Sequence, residues 1–296
     1  MIFRDRPRFG RLLTAMVTPF AEDESIDLPA AAALARYLVD ELGNDGLVVS
    51  GTTGEAPTTS NAEKSDLLAT VIDAVGDRAA VVAGVGTFDT RHSIELAVAA
   101  ERAGADGVLV VTPYYSRPPQ SGIIRHFTAI ADAGGLPIMA YDIPHRTGMP
   151  IATETLIELG QHPRIVAVKD AKHDLAASTR VIAETDLLYY SGDDAMTLPL
   201  LSIGGVGVVG TSTHFSGLGM KQLIDAYLDG KTEEALRLHR RLLPTFTGVF
   251  ITQGCIMVKA GLKLQGRGNG VLRSPMVAAT AEQTAYLQHA LAASDI

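Results

Sequence analysis

One lysine closes an apolar run in the middle of the chain. Lys169 follows the residues IVAV, none of which is charged. Burial disfavours the ammonium form of an amine, so a lysine at the end of a buried strand has a lowered pKa and can attack a carbonyl carbon. The resulting Schiff base withdraws electrons and allows a neighbouring C–C bond to form or break. A lysine that reaches from the strand end to solvent would give the same pattern, and spacing alone does not separate these interpretations.

Residues that could assist an imine follow other apolar runs. Tyr141 ends the run before that of Lys169, and its phenol could carry protons to and from an imine. Thr52 and Thr53 lie in a glycine-bracketed turn (GTTG), whose backbone N–H groups and hydroxyls could hold a small carboxylate. Arg146 offers a planar guanidinium to a second carboxylate. Each residue also has a structural interpretation, but taken together they favour imine chemistry.

Two other kinds of catalytic site have no support in the sequence. The eight histidines form neither HxH nor HExxH, and the single cysteine, Cys255, has no second cysteine for a disulfide or a metal site. Asp170, His173 and Asp174 form the closest grouping of ligand types, which we interpret as a solvated turn. The GxSxG pattern of serine hydrolases is also missing. We therefore expect no metal and no serine nucleophile.

Eight apolar runs alternate with amphipathic segments along the chain. Runs that are apolar at nearly every residue are typical of parallel strands buried on both faces. They lie at Leu12–Thr18, Gly46–Ser50, Ala80–Val85, Gly107–Thr112, Pro137–Ile143, Ile165–Asp170, Leu187–Ser191 and Val206–Ser212. Among the helices between them, one begins at Asp27 and another at Ser60, where Glu63 completes a capping-box spacing. Eight repeats of strand and helix predict an α/β fold, a (β/α)8 TIM barrel.

One short motif favours a different α/β architecture. Residues 205–210 match GxGxxG (GVGVVG), the pattern of dinucleotide-binding sites in open, doubly wound sheets. That motif belongs after the first strand and at the start of a helix, whereas here it lies inside the last predicted strand. We interpret its glycines as packing positions in a crowded barrel strand. In a barrel, functional residues gather at the C-terminal ends of the strands, where the residues above would meet.

The strand pattern stops near Met220, and helical patterns follow. We predict a catalytic barrel over residues 1–220 and a C-terminal helical bundle packed on it over residues 221–296. Helical spacing covers Gln222–Leu228, Thr232–Leu243 and Ala281–Ala292, and a Pro/Gly-rich stretch runs between Gly261 and Pro275.

The composition limits the classes of partner. Hydrophobic residues make up 47% and charged residues 20% of the chain, which suits a folded core and argues against disorder. Because the formal net charge is −8 and Lys and Arg are not clustered, nucleic acids and anionic membranes are poor partners. The first residues (MIFRDRPRFG) are charged where a signal peptide is apolar, and no run approaches the length of a membrane span. We expect a soluble, cytoplasmic protein.

Five motifs, in order, resemble those of the dihydrodipicolinate synthase family of pyruvate-dependent class I lyases and aldolases. They are GTTGE at 51–55, VTPYYSRPPQ at 111–120, YDIPHRTG at 141–148, VAVKDA at 166–171 and YSGDDA at 190–195. The resemblance runs from about Leu12 to the C-terminus. It implies condensation of pyruvate with L-aspartate 4-semialdehyde to 4-hydroxy-tetrahydrodipicolinate, in diaminopimelate and lysine biosynthesis. It further implies no cofactor beyond the covalent imine with pyruvate, and a homotetramer built as a dimer of tight dimers.

The same resemblance assigns roles to eight residues. Lys169 would form the imine, Tyr141 would donate and accept its proton, and Thr52 and Tyr115 would complete a proton relay, with Tyr115 reaching the neighbouring subunit's site. Thr53 would bind the pyruvate carboxylate, Arg146 would hold the carboxylate of the semialdehyde, and Val209 and Gly192 would line the substrate pocket.

The last predicted strand departs from the family pattern, which keeps other activities open. Gly210, Thr211 and Ser212 stand where larger or different residues are common. One alternative is a sister aldolase or dehydratase, similar to N-acetylneuraminate lyase or to keto-deoxy sugar acid aldolases. Another is a paralogue that binds a keto acid without turnover. Arg146 and the paired tyrosines Tyr114–Tyr115 favour the synthase, and the complete set of catalytic residues argues against a non-catalytic paralogue.

A second departure concerns regulation. Lysine-inhibited relatives bind the effector through histidines just after GTTGE and a glutamate further along, where this chain has Asn61, Lys64 and His92. A cationic Lys64 facing a cationic ligand, and no acid at position 92, should weaken that binding. We therefore predict little or no inhibition by L-lysine.

Overall fold

Eight parallel strands form a closed barrel, as the sequence predicts. The computed structural model describes residues 7–296, in which each strand pairs with the next and the eighth pairs with the first. The strands are β1 (Leu12–Ala15), β2 (Gly46–Val49), β3 (Ala80–Gly84), β4 (Gly107–Val111), β5 (Ile138–Asp142), β6 (Ile165–Asp170), β7 (Leu188–Ser191) and β8 (Gly207–Gly210). Each lies within one predicted apolar run. The TIM barrel is therefore confirmed, and the open doubly wound sheet is wrong.

The strands are apolar over most of their length because both of their faces are buried. Alternate side chains point into the barrel, where Leu13, Val48 and Val209 belong to one buried cluster. Their neighbours, such as Leu47 and Val81, belong to a second cluster between the strands and the helices. This double burial removes the polar and apolar alternation of a strand with one exposed face.

The glycines of the GVGVVG motif are packing positions, as interpreted. A Cβ on Gly207 would collide with the backbone carbonyl of Arg11, which precedes β1. A Cβ on Gly210 would meet the carboxylate of Asp194 at 2.5 Å. Both glycines therefore permit close approaches inside the barrel wall.

Helices follow the strands on the outside of the barrel. They are α1 (Leu28–Arg36), continued by a π-helical turn (Tyr37–Glu41), α2 (Asn61–Val75), α3 (Thr90–Ala103), α4 (Gln120–Ala133), α5 (Pro144–Thr147), α6 (Thr153–Leu159), α7 (Leu175–Glu184) and α8 (Thr197–Ser202). Asp27 caps α1 by accepting the N–H of Ala30, and Ser60 and Glu63 form the predicted capping box of α2. No helix within residues 7–296 combines the length and apolar character needed to cross a bilayer.

Four helices complete the chain after the barrel. They are α9 (Thr213–Leu228), α10 (Thr232–Gly248), α11 (Gly254–Leu264) and α12 (Ala281–Ala293), and α10 packs against both α9 and α12. The predicted limit at residue 220 falls inside α9, so the division into barrel and bundle stays a prediction. No helix was predicted at α11, and the Pro/Gly-rich stretch starts within it. Cys255–Lys259 is buried at every position, so the polar face that marks an amphipathic helix is missing there.

Candidate active site

Lys169 and Tyr141 lie side by side at the C-terminal ends of β6 and β5. The two residues are direct partners in the register of these strands. Lys169 is 4% exposed and Tyr141 is 5% exposed. The Nζ atom of Lys169 lies 4.4 Å from the centre of the Tyr141 ring, so the amine sits over the face of the phenol. The structure therefore brings together the predicted nucleophile and the predicted proton carrier.

Burial shifts the pKa values of Lys169 and Tyr141. Desolvation lowers the pKa of Lys169 to about 8, although the carboxylate of Asp194 opposes this and the cation of Arg146 adds to it. A considerable fraction of the amine is therefore neutral near physiological pH and can act as a nucleophile. Desolvation also raises the pKa of Tyr141, so its phenol stays protonated and can donate. The alternative interpretation of the sequence, in which Lys169 reaches from the strand end to solvent, is therefore wrong.

The glycine-bracketed turn after β2 holds Thr52 and Thr53. The N–H of Gly54 donates to the carbonyl of Gly51 at 3.0 Å, and the N–H of Glu55 donates to the carbonyl of Thr52 at 3.2 Å. Glu55 ends the turn in the left-handed region, with φ of 54°. The hydroxyl of Thr53 lies 3.3 Å from the hydroxyl of Thr211, which follows β8. The turn is therefore compact and faces the end of the last strand.

A cavity of about 510 Å³ opens beside these residues. Thr52, Tyr141 and Arg146 line it, together with Lys64 and His92. The volume is ample for a small keto acid and an acceptor. Three of the predicted site residues therefore share one cavity.

Arg146 is held by a residue that the sequence analysis did not predict. It lies in the short helix α5, and its Nη1 atom donates to Oε1 of Gln253 at 2.8 Å. Gln253 immediately precedes α11, the helix that was missed. The C-terminal segment thus takes part in positioning the guanidinium at the cavity.

Gly192 lies close to Lys169, and Val209 lies inside the barrel. A Cβ on Gly192 would lie 3.1 Å from Cγ of Lys169, so the glycine leaves room for the lysine side chain. Val209 is fully buried in β8 within the cluster that fills the barrel. Their positions are compatible with a lining role, which stays a prediction.

Within this chain, Tyr115 is not brought to the other predicted residues. Its side chain is 95% exposed, and its backbone is left-handed with φ of 69°. Its neighbour Tyr114 lines the cavity and packs edge-on against Phe88, with ring centres 5.5 Å apart. A role for Tyr115 in a neighbouring subunit's site stays a prediction.

Two buried residues fix the backbone after β8, and sequence analysis missed both. Asp194 accepts the N–H of Thr211 at 3.1 Å and that of Ser212 at 3.3 Å, as well as the hydroxyl of Ser212 at 2.7 Å. His214 bonds to the carbonyl of Thr211 through Nδ1 at 2.8 Å. Asp194 was visible only as part of the YSGDDA motif, and His214 had no spacing signal.

Glu55 joins the turn after β2 to the C-terminal segment. Its Oε1 atom accepts from Nζ of Lys259 at 2.5 Å, and its Oε2 atom accepts from the backbone N–H of Arg273 at 3.1 Å. Lys259 also donates to the carbonyl of Val271 at 2.8 Å. Both members of the pair are buried, so each charge depends on the other for compensation.

The residue types that bind metals have other partners here. Within residues 7–296, no three His, Cys, Asp or Glu side chains are grouped so that they could hold a metal ion. His173 pairs with Asp193 at 3.0 Å, and Asp174 caps α7 by accepting the N–H of Ala177 at 3.0 Å. Asp170 accepts from the hydroxyl of Ser178. The grouping noted in the sequence is a turn with local hydrogen bonds.

The chain is similar to one family over nearly its whole length. The sequence profile of the Dihydrodipicolinate synthetase family matches residues 8–294. A 4-hydroxy-tetrahydrodipicolinate synthase from Acidothermus cellulolyticus is 63% identical over 286 residues, which cover 97% of this chain and 92% of that protein.

Solved structures give the same result. The dihydrodipicolinate synthase of Cyanidioschyzon merolae with lysine bound has a TM-score of 0.95 at 41% identity, covering 97% of this chain and 99% of that one. The chloride-inhibited dihydrodipicolinate synthase of Acinetobacter baumannii, complexed with pyruvate, has a TM-score of 0.94 at 31% identity, with 97% and 99% covered.

Proposed function

Because this chain belongs to the dihydrodipicolinate synthetase family, we propose that it is a 4-hydroxy-tetrahydrodipicolinate synthase. It is a class I lyase that joins pyruvate to L-aspartate 4-semialdehyde in diaminopimelate and lysine biosynthesis. The observation that carries this proposal is the buried amine of Lys169, which lies 4.4 Å from the ring centre of Tyr141.

The first stage forms an enamine on Lys169. The neutral amine attacks C2 of pyruvate, whose carboxylate is held by Thr53. Tyr141 donates its proton to the hydroxyl of the carbinolamine, which leaves as water, and a protonated imine forms. The phenolate of Tyr141 then removes a proton from C3 and the enamine results. The raised pKa of Tyr141 supports this role, because a phenolate at this buried position is a strong base.

The second stage makes the new C–C bond and releases the enzyme. C3 of the enamine attacks the aldehyde carbon of the semialdehyde, and Tyr141 donates a proton to the developing alkoxide. Arg146 holds the carboxylate of this substrate, and its position on the shared cavity supports the assignment. The amino group of the bound product then adds to the imine carbon and closes the ring. A proton passes from this nitrogen to the nitrogen of Lys169, which leaves as the free amine as the C=N bond of the ring forms.

The remaining assignments complete the proposal. Thr52 and Tyr115 form the proton relay, with Tyr115 supplied to the site of a neighbouring subunit in a homotetramer. Its 95% exposure in a single chain supports a place at such an interface. Gly192 and the backbone of Val209 line the substrate pocket. The enzyme works in the cytoplasm and needs no cofactor beyond the covalent imine, since the electron sink is the protonated imine itself.

Borohydride trapping tests the proposal. The protein is incubated with pyruvate and borohydride, and its intact mass and peptide map are measured. We expect one adduct on Lys169, none in Lys169→Arg, and faster condensation with aspartate semialdehyde than with sugar-derived aldehydes. An adduct that turns over only sugar-derived aldehydes would instead identify a sister aldolase. No adduct on the folded wild-type protein would refute the mechanism and favour a keto-acid-binding protein.

A further inference from the structure

Thr211, the residue after β8, places its hydroxyl beside that of Thr53. The two Oγ1 atoms are 3.3 Å apart, and Thr211 is buried. The turns that carry them follow β8 and β2, which are separated by β1 in the barrel wall. The contact therefore joins two turns at the C-terminal end of the barrel.

The backbone of Thr211 is fixed on both sides. Its N–H donates to Asp194, and its carbonyl is 2.8 Å from Nδ1 of His214. The opposite nitrogen of His214, Nε2, lies 3.2 Å from the backbone N of Val17, which can only donate. Nε2 is therefore the acceptor, and Nδ1 must carry the proton and donate to Thr211. One neutral tautomer thus ties the end of β8 to the segment after β1.

The side chain of Thr211 is oriented by contacts on two sides. Its methyl carbon Cγ2 lies 3.1 Å from the position that a Cβ would take on Gly254, the first residue of α11. The methyl group therefore packs against that helix start, and the hydroxyl faces Thr53 on the other side. An exchange of the two groups would put a hydroxyl against the apolar contact and remove the hydrogen bond.

A hydroxyl beside Thr53 changes what Thr53 can do. Each threonine hydroxyl has one proton and can accept further hydrogen bonds. The geometry of the pair allows either hydroxyl to donate. When Thr211 donates to Thr53, the proton of Thr53 is directed to a third group, and the chain of hydrogen bonds makes Thr53 a stronger donor. An ionised acceptor gains most, because hydrogen bonds to charged groups are about twice as strong as neutral ones.

We propose that Thr211 is a positioning residue for the keto acid, whose hydroxyl orients the O–H of Thr53 towards the substrate carboxylate. The inference rests on the proposed function, from which it takes the role of Thr53. It adds a cause of selectivity: a free carboxylate next to the carbonyl is preferred to the same group masked as an ester.

Pyruvate and methyl pyruvate distinguish this role from simple packing. The measured quantity is the concentration of each ligand that gives half-maximal borohydride-trapped adduct on Lys169 in the full chain. Thr211→Val keeps the size but lacks the hydroxyl, and should raise this concentration roughly fivefold to tenfold for pyruvate while leaving methyl pyruvate within about twofold. Thr211→Ser keeps the hydroxyl and loses only the methyl group, so its value for pyruvate should lie closer to that of the wild type than the value for Thr211→Val does. An unchanged pyruvate value, or an equal change for both ligands, would overturn the proposal.

A double-mutant cycle tests whether Thr211 acts through Thr53. In a Thr53→Val background, Thr211→Val should have no further effect on pyruvate, whereas effects that multiply would show independent roles and refute the inference. If Thr211→Val does not fold, Thr211→Ala and Thr211→Ser give the same comparison. A wild-type protein without any adduct on Lys169 would refute the proposed function and this inference with it. Normal trapping without a Thr211 effect would refute the inference alone.

Discussion

The rate at which Lys169 forms an imine should stop rising with pH near 8. Its pKa is lowered to about 8 from the ordinary value of 10.5, mainly because burial removes solvation from the ammonium ion. At pH 7.5 the neutral fraction is then about 24%, against about 0.1% for an unperturbed lysine, a difference of roughly 240-fold. In the proposed mechanism, the lowered pKa accounts for a large part of the nucleophilic reactivity of Lys169.

The assay compares Lys169 with a free lysine in the same tube. The protein and N-acetyl-lysine are mixed with saturating pyruvate and cyanoborohydride between pH 6 and 10, and both adducts are measured by mass spectrometry. The ratio of the two rates cancels the pH dependence of the reductant. It should be constant at low pH and fall above about 8, where Lys169 is already neutral and the free amine is still losing protons.

Two substitutions should move this break in opposite directions. Asp194→Asn removes a negative charge that favours the ammonium ion, so the break should move to lower pH. Arg146→Gln removes a positive charge and should move it to higher pH. Lys259 is a matched internal control: it is also buried, but its amine is engaged by Glu55 and should gain no adduct. A ratio that stays constant up to pH 10, or shifts of equal sign, would refute the electrostatic reasoning.

Three other predictions concern a buried ion pair, the cavity wall and a buried histidine. Glu55→Gln should lower the free energy of unfolding, measured with urea, by about 3–5 kcal/mol, because Lys259 loses its counter-charge. Adding Lys259→Met should recover part of this loss. Equal losses in the single and the double variant would contradict the prediction. L-lysine at millimolar concentrations should leave the rate nearly unchanged, because hydrogen bonds to backbone carbonyls hold the ammonium group of Lys64 beside the cavity, where it repels a second cation. A steep fall in the rate would contradict this prediction. Burial lowers the pKa of His214 to about 4 from the ordinary value of 6.5, so between these pH values His214 is protonated in the unfolded chain and neutral in the folded chain. Its stability contribution should be complete above pH 6.5 and fall by about 3 kcal/mol towards pH 4, and His214→Asn should remove this slope in acid titrations of urea unfolding.

The barrel could be predicted because its strands are buried on both faces. Continuous apolar runs such as Ile165–Asp170 mark each strand without any knowledge of its neighbours. The same rule explains the failure at α11, whose residues 254–259 are all buried, so that the helical periodicity is missing there. A hydrophobic pattern identifies a helix by the difference between a polar face and an apolar face, and a segment that is buried on every face shows no such difference.

Two lysines show why the site could be predicted only in part. Lys169 ends IVAVK and Lys259 ends CIMVK, so both close an apolar run. Lys259 lies 2.5 Å from the carboxylate of Glu55, far away in the chain, whereas Lys169 lies over the ring of Tyr141. Lys259 therefore belongs to a buried ion pair, whereas Lys169 is the residue that we propose to be the nucleophile. The local sequence cannot distinguish the two lysines, because the partner of each amine is brought to it by the fold.

The link from Glu55 to Lys259 and Arg273 also orders events during synthesis. The strands and Lys169 leave the ribosome before Lys259 and Arg273, because the chain is made from its N-terminus. Until both residues have emerged, the Glu55 carboxylate lacks at least one of these hydrogen-bond donors. A nascent barrel can therefore form while the turn after β2 still lacks these contacts. These contacts of the turn are complete only when the C-terminal segment has been made.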